Sequence, residues 1–411
     1  VAIGDLVRVE GSVSEYFGDT QITSFSGVTV LGTGTLPAPS VLSLPVTAIS
    51  DFEAYEGMYV TFPQPLVISE YFNYDRFGEI VLTDARHFQP TAVFEPGSVD
   101  AANLAVANSL ARITLDDGLT SQNPDITRHP NGSPFSLTNL FRGGDTVTDV
   151  TGVINYAFGL YRVQPTQGAN YTSVNPRTTS PDPVGGNVSV ASFNVLNYFT
   201  TLDYPSAHPL DNMCGPLQNQ GCRGADDANE FARQRAKIIA AIAEIDADVV
   251  GLMEIENHPG DVPTADLVSG LNDAMGAGTY DYIATGAIGS DAIRQAFIYK
   301  PANVSPVGNY AVLDTPAFLD PNNLGSDKNR AALAQTFSNN STGAVFTAVV
   351  NHFKSKGSGC GAGDDDPEQG SCNLTRTLAA QELLNWLATD PTNRADEDFM
   401  IIGALNAYDK E

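Results

Sequence analysis

Three stretches of this sequence alternate in type and decide the fold: 188–199 (VSVASFNVLNYF), 226–245 (DDANEFARQRAKIIAAIAEI) and 247–257 (ADVVGLMEIEN). The first and third are short apolar runs with the length of buried strands. The second carries apolar residues three and four positions apart, as on one face of a helix. Strand–helix–strand alternation is typical of α/β folds. The same alternation continues later in the chain, in 294–301, 345–355, 374–389 and 398–406.

The preceding part of the chain has a different pattern. Three related stretches each start with Gly, carry Val at alternating positions, turn, and continue with aromatic residues; the first is GDLVRVEGSVSEYFGDTQI at 4–22. This period of two predicts β-hairpins. We therefore predict an all-β region of OB-like barrel modules over 1–165, a linker rich in Pro, Gly, Ser and Thr over 166–187, and an α/β domain over 188–411. Aromatic residues of the β region could stack on bases, although a place in the core is the favoured interpretation.

The composition is that of a globular and strongly acidic protein. Hydrophobic residues make up 42% and charged residues 17%, and 21 Lys and Arg stand against 48 Asp and Glu, for a formal charge of −27. An acidic surface argues against binding nucleic acid through charge alone. A bound divalent cation can nevertheless reverse the local field at a phosphate-cleaving site. We predict no membrane segment, because no apolar stretch approaches the roughly 18 to 20 residues that cross a bilayer.

The four cysteines fall into two close pairs, Cys214 with Cys222 and Cys360 with Cys372. Zinc would prefer tighter spacing or accompanying histidines, so two local disulfides are the better interpretation. An even count with no spare thiol is typical of an oxidising compartment. The chain opens on an ordinary strand pattern without a leader, and we expect a processed form of a secreted, extracellular protein. Nothing in the sequence indicates an oligomeric state.

Polar residues follow four of the predicted strands, where reactive groups of α/β folds lie. They are Asn194, Glu254, His352 and Asn406. Each taken alone has an ordinary explanation, such as a turn hydrogen bond or a solvated strand end. Together, carboxylate and amide oxygens suit a hard cation such as Mg²⁺, and a histidine supplies proton transfer or a hydrogen bond to phosphate. This set of residues favours metal-assisted phosphoester hydrolysis over acyl transfer.

At this point the sequence resembles a known family. VASFNVLNYF, ADVVGLMEIEN, VVNHFKSKGSGC and IIGALNAY are similar to the successive motifs of the endonuclease/exonuclease/phosphatase superfamily. The branch that they resemble most is the large secreted bacterial extracellular nucleases, relatives of deoxyribonuclease I. CRGADDANEFARQRAKI and DAIRQAFIYKP also look like that branch. The resemblance covers 188–411 and implies a four-layer α/β sandwich of the deoxyribonuclease I-like type; the OB-like likeness upstream is looser and lies at the level of the fold.

The resemblance implies roles for the four strand-end residues. Asn194 and Glu254 would help to hold Mg²⁺ (or Mn²⁺). His352 would be the acid/base or phosphate-binding histidine, and Asn406 would orient the reacting centre.

Two further side chains, Arg294 and Arg330, match basic residues near the site in that branch and would contact phosphate. A surface ion pair is an equally open interpretation of each. Three adjacent carboxylates at 364–366 raise the question of Ca²⁺, but EF-hand spacing is absent and a solvated acidic loop is favoured.

The chain departs from the family pattern at Ala404. The family motif after this strand is Gly-Asp-x-Asn, and its Asp accompanies the nucleophilic water, whereas a methyl group can take no proton. A missing general base costs about 10²- to 10⁴-fold in rate. A naturally impaired copy or an engineered inactive variant would explain this, and we favour the second. The sequence also ends at Glu411, without the further strands and the Asp-His pair of the family, so we expect a sandwich that lacks its final segment.

The leading interpretation is a secreted, metal-dependent nuclease that hydrolyses phosphodiesters of extracellular DNA, or RNA, in a form inactivated at Ala404. A phosphatase or phospholipase of the same superfamily is a second interpretation, because specificity lies in loops. A third is a non-catalytic extracellular matrix or adhesive protein that has kept the scaffold. DNA versus RNA preference and endo versus exo cleavage stay open.

Overall fold

The protein is described from a computed structural model that covers residues 1–24, 26–119, 121–123, 129–204, 213–394 and 398–411. The chain divides into two units, 1–177 with 408–411, and 178–407. In these described ranges no helix combines the length and the apolar character needed to cross a membrane.

The first unit is built mainly on one nine-stranded sheet with the order β13-β10-β7-β8-β9-β12-β11-β6-β5, beside the pairs β1-β4 and β2-β3. Its strands are β1 (Asp5–Val9), β2 (Ser12–Tyr16), β3 (Asp19–Thr23), β4 (Val28–Thr33), β5 (Ser40–Val41), β6 (Tyr59–Thr61), β7 (Leu66–Glu70), β8 (Ile80–Thr83), β9 (Arg112–Leu115), β10 (Thr146–Thr148), β11 (Thr151–Ala157), β12 (Leu160–Pro165) and β13 (Asn170–Thr172). Its helices are α1 (Tyr74–Phe77), α2 (Pro90–Val93) and α3 (Val99–Leu110), with a 3₁₀ helix at Ile49–Tyr55.

The prediction of an all-β region over 1–165 is wrong at α3. This 12-residue helix begins after Ser98, whose hydroxyl accepts a hydrogen bond from the Ala101 N–H at 3.1 Å. Ser is a strong N-cap, and Ala-rich sequence has high helix propensity, so the local signal was present. The OB-like barrel is not confirmed, because most strands lie in one large sheet that includes two parallel pairs, β5 with β6 and β9 with β12.

The second unit contains two sheets, with the orders β14-β15-β17-β16 and β18-β20-β21-β22, and β19 pairs with β20. Its strands are β14 (Val190–Tyr198), β15 (Val249–Glu256), β16 (Asp281–Tyr282), β17 (Ile293–Tyr299), β18 (Val304–Pro306), β19 (Ala311–Leu313), β20 (Ala332–Asn339), β21 (Val345–His352) and β22 (Phe399–Ala404). Its helices are α4 (Ala228–Ile245), α5 (Val262–Met275), α6 (Pro316–Leu319) and α7 (Asn373–Leu387).

The two sheets of the second unit pack face to face, with helices on both outer faces. Met253 and Phe297 of the first sheet share a buried cluster with Leu333 and Val350 of the second. Alternate residues of the first sheet pack on α4 and α5, and those of the second pack on α6 and α7. The result is the predicted α/β fold in four layers. Gly251 allows the close approach of the sheets, because a Cβ there would lie 2.5 Å from the Ile402 side chain.

Parallel pairing brings four strand ends to one edge of this sandwich. β14 runs parallel to β15, and β21 runs parallel to β22. The carboxyl ends of parallel neighbours lie on the same side of a sheet, where loops replace the ladder. In the described part of the chain β22 lies at the edge of its sheet.

Candidate active site at the carboxyl edge of the sandwich

The ladder between β14 and β15 breaks at the candidate site. Asn194 pairs with Met253, and the pairing resumes only between Tyr198 and Ile255, so three residues of β14 lie opposite the single residue Glu254. The φ angle of Glu254 is 63°, and two residues of the β14 bulge also have positive φ. Such conformations are costly for residues other than glycine, and they persist where the surrounding structure imposes them, often at functional sites.

The bulge brings Glu254 to His352 of the other sheet. Glu254 Oε1 lies 3.8 Å from His352 Nε2, and Glu254 Oε2 accepts a hydrogen bond from the Asn197 N–H at 3.2 Å. His352 ends β21 in register with Ala404, the last residue of β22. Asn194 is placed beside Glu254 by its pairing with Met253. The structure therefore brings Asn194, Glu254, His352 and position 404 to one edge, although they are distant in sequence.

His352 is nearly buried, and its surroundings favour the neutral ring. Burial lowers the pKa of His352 to about 4; the positive charge of Arg330 acts in the same direction, and Glu254 and Asp291 oppose it. Its backbone is held by Gln295: with the amide oriented so that both atoms are paired, Gln295 accepts from the His352 N–H at 3.1 Å and donates to the Ala331 carbonyl at 2.9 Å. A neutral imidazole at neutral pH has one nitrogen that can accept a proton and one that can donate.

Asn406 lies just beyond β22 and is tied to the strand that carries His352. It has a φ of 54°, and its Nδ2 donates to the Phe353 carbonyl at 2.8 Å. The Phe353 N–H in turn donates to the Ala404 carbonyl at 2.9 Å. These two hydrogen bonds hold Asn406 next to the ends of β21 and β22, where His352 and Ala404 lie.

Two oxygen donors at this edge are of the kind that a Mg²⁺ ion shared with a substrate would use. Glu254 supplies one carboxylate, and Asn194 supplies an amide oxygen that accepts from the Leu196 N–H at 2.7 Å. Within the described ranges, no group of three or more His, Cys, Asp or Glu side chains could hold a metal by itself. Mg²⁺ needs only one or two carboxylates when water and substrate phosphate complete its shell.

Arg294 does not have the exposed position expected of a phosphate contact. Its guanidinium is fully buried and pairs with Asp261 at 2.7 Å, with further bonds to Thr264 and Thr285, both at 3.1 Å. A phosphate could reach it only by displacing Asp261. The predicted phosphate role is therefore wrong for Arg294, whose side chain links the start of α5 and the residue before it to the loop after β16.

Arg330, in contrast, lies beside the candidate site. Its backbone N–H donates to the His352 carbonyl at 3.4 Å, and its Nε donates to Asp291 Oδ2 at 2.9 Å. The same carboxylate pairs with Arg223 at 3.0 Å through Oδ1. Asp291 and Arg223 were missed as site residues, although both lie inside motifs quoted for the family resemblance.

Asn257 is a third residue that sequence reasoning missed. It is fully buried, and its Nδ2 donates to the carbonyls of Ile288 and Asp291, both at 2.8 Å. Its Oδ1 accepts from the Ile288 N–H at 3.0 Å. The loop that carries Asp291 is thus fastened to the end of the strand that carries Glu254. The quoted motif MEIEN contained this residue, but only the first Glu was given a role.

Both predicted disulfides are formed, Cys214–Cys222 and Cys360–Cys372. Within the second loop, Asp364 accepts from the N–H and hydroxyl of Thr375 at 2.9 and 2.6 Å, at the start of α7. Asp365 accepts from the N–H groups of both cysteines of that bridge. These carboxylates bind the loop itself, and nothing in their contacts supports Ca²⁺.

Comparison with known proteins adds distant matches only. A family model described as a domain of unknown function (DUF8508) matches residues 39–176, about a third of the chain. A search of curated proteins finds no match.

Solved structures that match include an endonuclease/exonuclease/phosphatase family protein from Bacteroides thetaiotaomicron, with 15% identity over 53% of this chain and 63% of that chain and a TM-score of 0.33. A mannosyl-6-phosphatase from the same organism matches with 15% identity over 53% and 65%, and a TM-score of 0.33. The human Nocturnin catalytic domain matches with 18% identity over 44% and 60%, and a TM-score of 0.31. The chain spans less than two thirds of each. Because these TM-scores are low, we base the functional proposal on the site residues.

Proposed function

We propose that this protein has the active-site scaffold of a secreted, metal-dependent phosphoester hydrolase, and that its substrate is DNA or RNA. The observation that carries the proposal is the approach of Glu254 to His352, 3.8 Å apart across two sheets, at a point where β15 departs from regular geometry. A carboxylate and a neutral imidazole at one strained edge supply the two functions that phosphoester hydrolysis needs, cation binding and proton transfer.

Each residue at the edge has a defined task. Asn194 and Glu254 would hold Mg²⁺, or Mn²⁺, which when bound neutralises charge on the phosphate oxygens. His352 would hold a proton at one ring nitrogen and donate a hydrogen bond to the phosphoryl group, with its backbone fixed by Gln295. Asn406 would orient the phosphate from the end of β22, next to the strand that carries His352. Ala404, beside His352, offers no group that can take a proton from water.

A nucleic acid is favoured over a small phosphate ester by the positive charge near Asn194. Asn194 lines a cavity of about 590 Å³. The charged side chains that line the same cavity are three cations, Arg223, Arg233 and Lys237, and one carboxylate, Glu230. This local excess of cations stands in a chain whose formal charge is −27. Cationic side chains along a groove are what a polyphosphate backbone requires. The two disulfides support an oxidising, extracellular location.

The test is restoration of activity. The protein with Ala404→Asp should nick supercoiled plasmid with Mg²⁺ about 10²- to 10⁴-fold faster than the protein with Ala404. EDTA should abolish the nicking. Release of free phosphate from monoesters without nicking would assign a phosphatase instead.

One observation favours a different class of function, a non-catalytic extracellular protein. Ala404 stands at the position where the family carries its base, so the base is missing, although Asn194, Glu254, His352 and Asn406 are present. If the protein with Ala404→Asp cleaves no phosphoester, this second assignment is the better one.

A further inference from the structure

We propose that Arg223 and Arg330 form a second anion subsite, which binds a phosphate of the substrate chain other than the one that is cleaved. The inference rests on the proposed function and deepens it, because it requires a substrate with successive phosphates. Asp291 accepts a hydrogen bond from Arg330 and forms an ion pair with Arg223, which keeps the two guanidinium groups near each other.

The arrangement consists of two cations that share one carboxylate. Arg330 Nε lies 2.9 Å from Asp291 Oδ2, and Arg223 Nη2 lies 3.0 Å from Asp291 Oδ1. One carboxylate neutralises one guanidinium, so the trio keeps a net positive charge. The Arg223 side chain is 41% exposed, which leaves donors of its planar fork free to face solvent. Arginine forks match the geometry of phosphate oxygens and bind them in a bidentate manner.

These arginines face a cavity large enough for a nucleotide unit. The cavity has a volume of about 530 Å³, within the range of ligand pockets, and Lys328 and Asn329 also line it. The second carboxylate on its wall, Asp327, accepts a hydrogen bond from the Ser290 hydroxyl at 2.6 Å. The polar lining and the surplus of cations select an anion over an apolar ligand.

The subsite is rigidly built. Asn257 fixes the backbone of the Asp291 loop, as described above. On the other side, Gln220 donates to the Ser290 carbonyl at 2.5 Å, so the loop closed by the Cys214–Cys222 disulfide is fastened to the same segment. Cys222 is buried and directly precedes Arg223. Preorganised donors bind an anion with a smaller loss of side-chain entropy than mobile surface cations do.

The subsite is also connected to the reacting edge. Arg330 is bonded through its backbone to His352, and Arg223 lines both this cavity and the one that contains Asn194. A chain that places one phosphate at Glu254 and His352 can therefore place a neighbouring phosphate between the two arginines. A lone phosphate monoester can use only one of the two places.

The experiment measures equilibrium binding to the chain as it stands, in which Ala404 is expected to prevent cleavage. The probe is a fluorescein-labelled 12-nucleotide oligothymidylate in Mg²⁺, followed by anisotropy over a series of salt concentrations. Arg223→Gln should weaken binding about 10-fold and reduce the slope of log affinity against log salt by about 0.7, the value for one phosphate contact on a single strand. Arg223→Lys keeps the positive charge but loses the planar guanidinium. Its affinity should lie between those of the parent chain and Arg223→Gln.

The matched control is Lys300→Gln, which removes one positive charge from the same unit at the opposite end of the first sheet, where Lys300 pairs with Asp246. Its affinity should stay within twofold of the parent chain. Equal affinities for Arg223→Gln and Lys300→Gln, with tight binding by the parent chain and unchanged circular dichroism, would overturn the subsite.

A second probe separates this inference from the proposed function. Inorganic tripolyphosphate, titrated calorimetrically, presents successive phosphates without nucleic acid. Tripolyphosphate binding that depends on Arg223, without oligonucleotide binding, would keep the subsite and reject a nucleic-acid substrate. If the parent chain binds neither probe, the subsite is rejected even if the Ala404→Asp chain hydrolyses a phosphoester.

Discussion

The two parallel strand pairs that meet at the candidate site reach it in different ways. β21 and β22 pair without interruption up to His352 and Ala404, so simple alternation places His352 on the face that Val350 occupies between the sheets. β14 and β15 lose register, and alternation alone would turn Glu254 toward the helices with Leu252. A regular strand pair therefore supplies the histidine, and a distorted pair supplies the carboxylate.

The largest effect should come from removing the histidine that the regular pair supplies. In the protein with Ala404→Asp, His352→Ala should lower the nicking rate about 10²- to 10⁴-fold, because proton transfer or phosphate hydrogen bonding is lost. His258→Ala is the control, since His258 follows β15 but bonds only locally, accepting from the Gly260 N–H at 3.1 Å. The nicking rate of His258→Ala should change less than threefold. Equal losses of rate in both variants would show that His352 has no specific role in the reaction.

The regular pair should be sensitive to any Cβ at Gly403. A Cβ there would lie 2.0 Å from the Asn351 carbonyl oxygen, and Gly403 has a φ of 121°. Gly403→Ala should lower the free energy of unfolding by about 3 to 5 kcal/mol, measured by urea denaturation, because backbone atoms cannot yield as side chains do. Gly343→Ala, with a φ of 74° and open space around its Cβ, should cost only about 1 kcal/mol. Similar losses of stability in the two variants would show that the close approach of β21 and β22 does not cause the effect of Gly403→Ala.

The burial of His352 should make stability depend on pH. Its pKa is about 4 in the folded chain, below the ordinary value of 6.5, so the unfolded chain takes up the proton first as pH falls. The contribution of His352 to the free energy of unfolding is complete above pH 6.5 and is lost between pH 6.5 and 4. The loss reaches about 3 kcal/mol, at 1.36 kcal/mol for each unit of pKa difference. Urea denaturation in EDTA should show this loss, and His352→Gln should reduce it. An unchanged pH profile in that variant would contradict the assignment.

The distorted pair should release strain when Glu254 becomes glycine. Glu254→Gly should raise the free energy of unfolding by about 0.5 to 1 kcal/mol, since glycine adopts positive φ without steric cost. Asn197→Gly, at a φ of 52°, should be nearly neutral, because asparagine already tolerates this region. Destabilisation of more than about 1 kcal/mol by Glu254→Gly would mean that the contacts of the Glu254 side chain, such as its hydrogen bond from the Asn197 N–H, outweigh the strain.

The difference between the two strand pairs also determines which site residues could be predicted from the sequence. Strand ends in an α/β pattern predicted that Asn194, Glu254, His352 and Asn406 come together, because parallel pairing gathers such ends without knowledge of side-chain contacts. The sequence could not predict the bulge that turns Glu254, since nothing in MEIEN marks a positive φ. Arg294 was misassigned because its partner Asp261 lies 33 residues away, and a buried ion pair is defined only by the fold. Asp291 and Arg223 lie in loops whose approach depends on Asn257 and on a disulfide.

The spacing of the cysteines has a consequence for how the chain matures. The correct partners are 8 and 12 residues apart, whereas every wrong pairing between the two loops must close more than 130 residues. Loop-closure entropy favours the short loops by roughly 2 to 3 kcal/mol even in an unfolded chain. Each short loop can therefore close on its correct partner through local chain entropy alone, without the long-range contacts of the finished sandwich.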